Sequence, residues 1–265
     1  MKTKHFSDSN RKASLVVFIA TLVFLYLPLI VLIIYSFNKG KTMHWVGFSF
    51  KWYEQLFSAR SALLWKAVLN SLIVALASSL IATIIGTLGG IAMQWYNFGW
   101  KKYLKVTTYL PLIMPEIIIG VSLLIMFAGL KWKMSLMTVF IAHTTFNIPY
   151  VLMIIASRLD EFDFSIIEAA NDLGAKELDV LFKVILPMTI PGIISGFLMS
   201  VTLSLDDFVI TFFVSGPGSS TMPLYIYSMI NRGVFPIINA LSTVIIAFTV
   251  MMSLSTRKIQ KYMIQ

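Results

Sequence analysis

The chain holds 265 residues, 58% of them apolar and 12% charged, with a mean hydropathy of +0.83; soluble domains carry roughly a quarter charged residues, so this is the composition of a membrane protein. Net charge is +9, but the Lys and Arg residues sit in short segments between apolar blocks, where they read as topology signals and not as a nucleic-acid face. Cysteine is absent and His5, His44 and His143 have no partner at a zinc-ligand spacing, which excludes a disulfide framework, a thiolate metal site and a cysteine nucleophile.

Stretches of about 20 apolar residues predict six membrane helices, at 14–37, 67–93, 106–129, 134–157, 189–214 and 235–255, in one all-α polytopic domain spanning 1–265. The first follows Lys2, Lys4, Arg11 and Lys12 and could pass for a secretory signal. It is too long and no Ala-x-Ala site follows it, so it reads as an anchor. Next, Gly40-Lys41-Thr42 imitates the end of a phosphate-binding loop, but the first glycine of that motif would fall at Tyr35 and no strand precedes it. The second span carries Gly86, Gly89 and Gly90 among Ala and Ser, small residues that let neighbouring backbones approach closely in lipid.

Six spans put both termini on one side. With the N-terminus in the cytoplasm, 13 Lys and Arg lie inside and 8 outside, a modest bias toward cytoplasmic termini.

The third span contains Pro111 and Pro115, which break or kink it, followed by Glu116; irregular backbone at membrane depth is tolerated where it lines a cavity. In the fourth span His143 and Asn147 read as groups that hydrogen-bond between helices. The fifth carries Asp206 and Asp207, and an ionised carboxylate near a helix centre costs about 2.5–3.5 kcal/mol on insertion scales. Intramembrane acids of this kind usually face a protein interior or a water-filled path and mark ion or substrate handling. The alternative is that they pair with Lys or Arg of a partner subunit and hold an assembly together.

The loop 158–187 stands apart because it holds seven of the twelve acidic residues. Ser165 and Glu168 have capping-box spacing, Ile166, Ala170 and Leu173 share a face, and Gly174 is a natural stop, so 165–174 reads as a short helix. A second helical run, Glu177 to Leu186, is expected to end at Pro187 before the fifth span. Beyond that span, Gly216-Pro217-Gly218 reads as a turn, and Met222 to Ile230 as an aromatic-rich interfacial helix.

Glu168-Ala169-Ala170, Gly174 and Leu186-Pro187 resemble the EAA loop of binding-protein-dependent ABC importer permeases, with Val184 where that pattern has Ile. The resemblance implies a type I (MetI-like) permease fold with its core at about 65–256, in which Glu168, Ala169, Ala170, Gly174, Leu186 and Pro187 couple the membrane helices to a separate ATPase. Leu110 to Glu116, Asp172 to Ala175, Leu203 to Phe208 and Ser215 to Pro217 are similar to the polyamine permeases of that family. That likeness implies a substrate pathway at Trp52, Glu116, Ser204, Asp206 and Asp207, with spermidine or putrescine as cargo. Implied partners are a second related permease (PotB-like), two copies of a cytoplasmic ABC ATPase (PotA-like), an extracytoplasmic polyamine-binding protein (PotD-like) and membrane lipid, with no nucleic acid. The chain itself is expected to bind no cofactor and to catalyse nothing, ATP and Mg belonging to the ATPase, and to lie in the bacterial inner membrane. Rival readings are a permease for another solute and a secondary cation transporter; the lack of intramembrane Arg or Lys speaks against an anion path, and the docking loop against a self-sufficient carrier.

Overall fold

The computed structural model describes residues 8–41, 44–161, 163, 165–233 and 235–263. Lys2, Lys4, His5 and Thr42, used in the sequence reading, lie outside the described residues. The described chain is helical but for one isolated bridge between Asn38 and Phe48. It forms two compact units, residues 1–63 with 226–265, and residues 64–225.

In the first unit, α1 (Asp8–Ser36) packs against α12 (Phe235–Met263), and the short α2 (Lys51–Leu56) packs on α12 as well. The connection between α1 and α2 is folded around Asn38. Its side-chain oxygen accepts from Gly40 N and Val46 N, its amide donates to the His44 carbonyl, and its own carbonyl accepts from Trp52 Nε1 at 2.7 Å. Phe37, Phe48, Phe50 and Tyr53 stack over this loop.

The second unit contains α3 (Ala62–Trp95, from Leu64 on), α4 (Lys101–Ile113), α5 (Glu116–Gly129), α6 (Leu136–Asp160), α7 (Ser165–Asp172), α8 (Glu177–Val180), α9 (Leu186–Asp206) and α10 (Val209–Val214); the first turn of α11 (Met222–Asn231) also belongs to it. Its centre is α6, against which α3 and α9 pack through small residues. A Cβ at Gly86 would stand 2.7 Å from the Val151 side chain, one at Gly90 2.8 Å from Ile155, and one at Gly196 3.2 Å from Val151. The glycines of the second span thus serve the close approach that their composition predicts.

Several expectations are corrected. Among the described residues four helices are long and apolar enough to cross a membrane, or five if α4 and α5 count as one bent span, in place of six continuous ones. The expected third span, 106–129, is split by a 111° bend between Ile113 and Glu116. Pro115 causes it, because a residue before proline is pushed out of the helical region, and Met114 is extended at ψ 138°. Pro111, by contrast, sits inside α4. The expected sixth span, 235–255, falls within α12, whose described apolar part is Pro236–Met251.

The expected fifth span, 189–214, begins earlier and ends sooner. Pro187 does not interrupt it. A π-helical stretch, Leu181–Ile185, joins α8 to α9, so helix runs without a break from Glu177 to Asp206. The wider π turn accommodates a proline that lacks its own N–H and crowds the preceding turn. The far end breaks at Asp207, extended at ψ 124°, before α10.

Candidate functional site

The sequence brings acids to helix breaks. Glu116 is the first residue of α5, Asp206 the last of α9, and Asp207 precedes α10. The half-helices α5 and α10 lie side by side, so close that a Cβ on Gly120 would stand 2.7 Å from the Phe213 ring. This contact holds Glu116 within electrostatic reach of both Asp206 and Asp207.

The three carboxylates differ in what surrounds them. Asp207 is buried, and it accepts from Ile210 N at 3.1 Å, Thr211 N at 2.9 Å and the Thr211 hydroxyl at 2.7 Å. It caps α10, meeting the amides that a helix start leaves without partners. His143, fully buried on α6, stands with Nε2 3.2 Å from Asp207 Oδ2 and 2.9 Å from Thr211 Oγ1, and with Nδ1 2.6 Å from Ser204 Oγ. The geometry suits donation from Nε2 toward Asp207, with Nδ1 and the Ser204 hydroxyl sharing the second hydrogen bond. Ser204 is also 3.5 Å from Ser78 Oγ of α3, so a single network ties α3, α6, α9 and α10 together. Asp206 and Glu116 are both exposed, and neither carboxylate has a hydrogen bond or ion pair among the described residues.

The expectation that Asp206 and Asp207 are consecutive helical residues is therefore corrected: the helix ends between them. A serine, histidine and aspartate in contact also resemble a hydrolytic triad, but all three are buried and Asp207 is engaged by a helix start. The bonding capacity of the group is used for structure.

Trp52 lies in the other unit. Its ring is buried, Nε1 is taken by the Asn38 carbonyl, and the Lys51 ammonium is 5.3 Å from its centroid.

In the loop, α7 ends as expected at Gly174, whose φ of +80° favours glycine. The Gly174 amide donates to the Asn171 carbonyl at 2.8 Å and the Ala175 amide to Ala170 at 3.1 Å. Its start differs from the expected capping box. Ser165 is already helical, and the acceptor is Asp163, whose carboxylate takes the Ser165 amide at 3.0 Å. That bond holds the Asp163 carboxyl below the ordinary aspartate range. The buried face is different too. Ile167, Ala170 and Ala175 pack onto Val151, Ile155, Leu159, Val180 and Ile185, whereas Ile166 and Leu173 are exposed, Leu173 at 89%. Glu168 and Ala169 are exposed with them, and Leu186 and Pro187 lie at the start of α9.

His143 hydrogen-bonds between helices as the sequence reading expected, whereas Thr211 was not singled out. The signal for Thr211 was its spacing four residues after Asp207, a helix-start pattern hidden because the span was read as continuous. Among the described residues no group of three or more His, Cys, Asp or Glu is placed to hold a metal ion.

Residues 85–265 match the family described as the binding-protein-dependent transport system inner membrane component. The chain is 41% identical to the spermidine/putrescine transport system permease protein PotC of Haemophilus influenzae over 240 residues, covering 89% of this chain and 93% of that one. It is 37% identical to the PotC protein of Escherichia coli K12, covering 91% of each chain. It is 42% identical to the putrescine transport system permease protein PotI of the same organism, covering 88% and 85%. Among solved structures, a bacterial ABC transporter involved in import of the acidic polysaccharide alginate superposes with a TM-score of 0.68 at 16% identity, over 95% of this chain and 99% of that chain, a likeness of fold.

Proposed function

We propose a mechanism that starts from one premise: the chain belongs to the family of binding-protein-dependent transport system inner membrane components. It is accordingly a non-catalytic, multi-pass permease subunit of an ABC importer, and its cargo is spermidine or putrescine, as the names of its relatives at 37–42% identity indicate. It works with an ATPase and a binding protein, and in our reading these are PotA-like and PotD-like, with a PotB-like second permease.

Our assignment of the path rests on one observation, the contrast between satisfied and open carboxylates at the helix breaks. Asp206 and Glu116 face the cargo. Their oxygens are exposed and unpaired among the described residues, and two negative groups suit the separated ammonium groups of a polyamine. Asp207 and Ser204 shape the path from behind, because their bonds to Thr211 and His143 fix where α9 stops and α10 starts. Trp52, buried and already faced by the Lys51 ammonium, is assigned to the path through resemblance alone.

The drive comes through the loop. In this reading Glu168, Ala169 and Ala170, with Gly174 setting the turn, sit in a groove of the ATPase, and the exposed Ile166 and Leu173 are covered there. Leu186 and Pro187 lie on the helix that runs from Glu177 to Asp206, about 44 Å at 1.5 Å per residue. ATPase closure would move one end of this rod and so displace Asp206 at the other, a rigid-body switch between two packings. Binding by two exposed acids stays weak enough to permit release. The MetI-like architecture in its six-span form counts the bent α4–α5 pair and α12 as spans, with both termini cytoplasmic and the chain in the inner membrane as one domain.

The test is uptake of radiolabelled spermidine into proteoliposomes holding the assembled importer with ATP inside. Accumulation should require ATP and the ATPase. Accumulation by this chain alone would overturn the coupling role.

A further inference from the structure

The contact between α6 and α9 runs in antiparallel register. His143 meets Ser204, Val151 meets Gly196, and Ile155 with Arg158 meets Gly192. One turn separates each step, so Asn147 faces Ser200. On α3, Ser78 reaches the His143–Ser204 layer while Gly86 and Gly90 meet Val151 and Ile155, which sets Ala82 at the Asn147 layer with Ser79 and Thr83 beside it on the same buried face. The layer above is polar and satisfied, and the two below are packed closely around Gly86, Gly90, Gly192 and Gly196, with the Thr87 hydroxyl of α3 as a further unpartnered group among the described residues. The Asn147 layer is polar and unsatisfied. Asn147 is 0% exposed, yet neither its Nδ2 nor its Oδ1 has a hydrogen-bond partner among the described residues, and the same holds for Ser200 Oγ, Ser79 Oγ and Thr83 Oγ1.

Other helix hydroxyls in the chain settle this locally. Those of Thr144, Thr145, Thr189, Ser195 and Thr202 each donate to the carbonyl four residues back. Ser200, Ser79 and Thr83 do not, so their oxygens are turned away from their own helices. Asn147 lies 11 residues into the 25-residue α6, near the membrane midplane, where lipid offers no hydrogen bonds. A side-chain amide with two donors and an acceptor is costly to bury dry, and buried groups of this kind are usually met by ordered water making about three bonds.

We infer that Asn147 and Ser200, with the Ser79 and Thr83 hydroxyls of α3 beside them, form an internal hydration site at mid-membrane that holds ordered water between α3, α6 and α9. Water-mediated bonds are nearly as favourable as direct ones. They let the three helices exchange partners as they shift, in a seam that is otherwise filled by interlocking glycine and branched side chains.

Water-edited magic-angle-spinning NMR on the assembled transporter in lipid nanodiscs, with asparagine side chains labelled with 15N, tests this. The Asn147 signal is assigned by its disappearance in Asn147→Leu, or by its disappearance in Asn147→Gln if the leucine variant does not fold. A polarisation transfer from water to Asn147 Nδ2, weakened in Ser200→Ala, is the expected result. A visible Asn147 signal with no water transfer, while exposed Asn97 shows it, would overturn the inference. A Ser200→Ala shift of the Asn147 resonance without water transfer would also overturn it, since the amide would then bond Ser200 directly.

Discussion

At the α9–α10 break, Asp207 is buried with two backbone amides, a hydroxyl and an imidazole against its carboxylate, whereas in α7 Glu168 stands exposed between Ile166 and Leu173, whose apolar side chains are also exposed. Both residues are acids next to or within short helical segments, Asp207 just before α10 and Glu168 inside α7. In the first region the chain meets the polar demands of Asp207 by itself, and the result is a fixed joint. In the second it leaves apolar and charged groups facing outward, and the result is a surface that another protein can complete. In the proposed reading, exposure more than residue type separates the acids that hold the shape of this subunit from those offered to a partner or a cargo.

Replacing the residues at these two places should sharpen the difference. Asp207→Ala strips the cap from α10 and leaves His143 Nε2 with Thr211 as its one remaining partner among the described residues, and the loss of a buried, charge-assisted set of bonds is expected to cost about 3 kcal/mol. The purified importer should melt at a lower temperature, with uptake falling in step. A variant that keeps its melting temperature and loses only uptake would move Asp207 from joint to cargo site. Glu168→Trp should do the opposite. The protein inserts and melts normally, but ATP-dependent uptake drops about tenfold or more, corresponding to at least 1.4 kcal/mol of docking energy. Unchanged uptake would break the comparison at its second half.

Asp206→Asn removes one exposed charge, so spermidine uptake should fall about threefold to fivefold, the size expected of one exposed ion pair, with the melting temperature unmoved. The smallest effect belongs to Asp163→Ala, which frees the Ser165 amide and should speed hydrogen exchange at the start of α7. Because the Asp163 carboxyl is held below its ordinary value in the fold, its contribution is complete above that ordinary value, near 4, and fades as pH falls through the lowered one. Exchange rates of wild type and variant should therefore converge in acid and differ at neutral pH.

Much of the loop was legible without coordinates. Gly174 stops α7 because a left-handed residue is needed there, a local requirement. Which face of α7 turns inward was not, since Ile166, Ile167, Ala170 and Leu173 offer two apolar stripes and only the cluster around Val151 and Ile155 selects the one with Ile167. The bend at Pro115 was half visible, as a proline signal without an angle.

The amino-acid order by itself determined a polytopic helical protein, the proline-marked interruption before Glu116, and the short helix with its glycine stop in the 158–187 loop, because each follows from hydropathy or short-range backbone chemistry. Tertiary structure alone decided that helix passes unbroken through Pro187, that Asp206 and Asp207 part at a helix end, and that His143 joins Ser204 to Thr211. These depend on groups 61 and 68 residues apart in the chain and on strain relieved by a neighbouring π turn, and no local pattern records which distant side chain will arrive to satisfy a buried one.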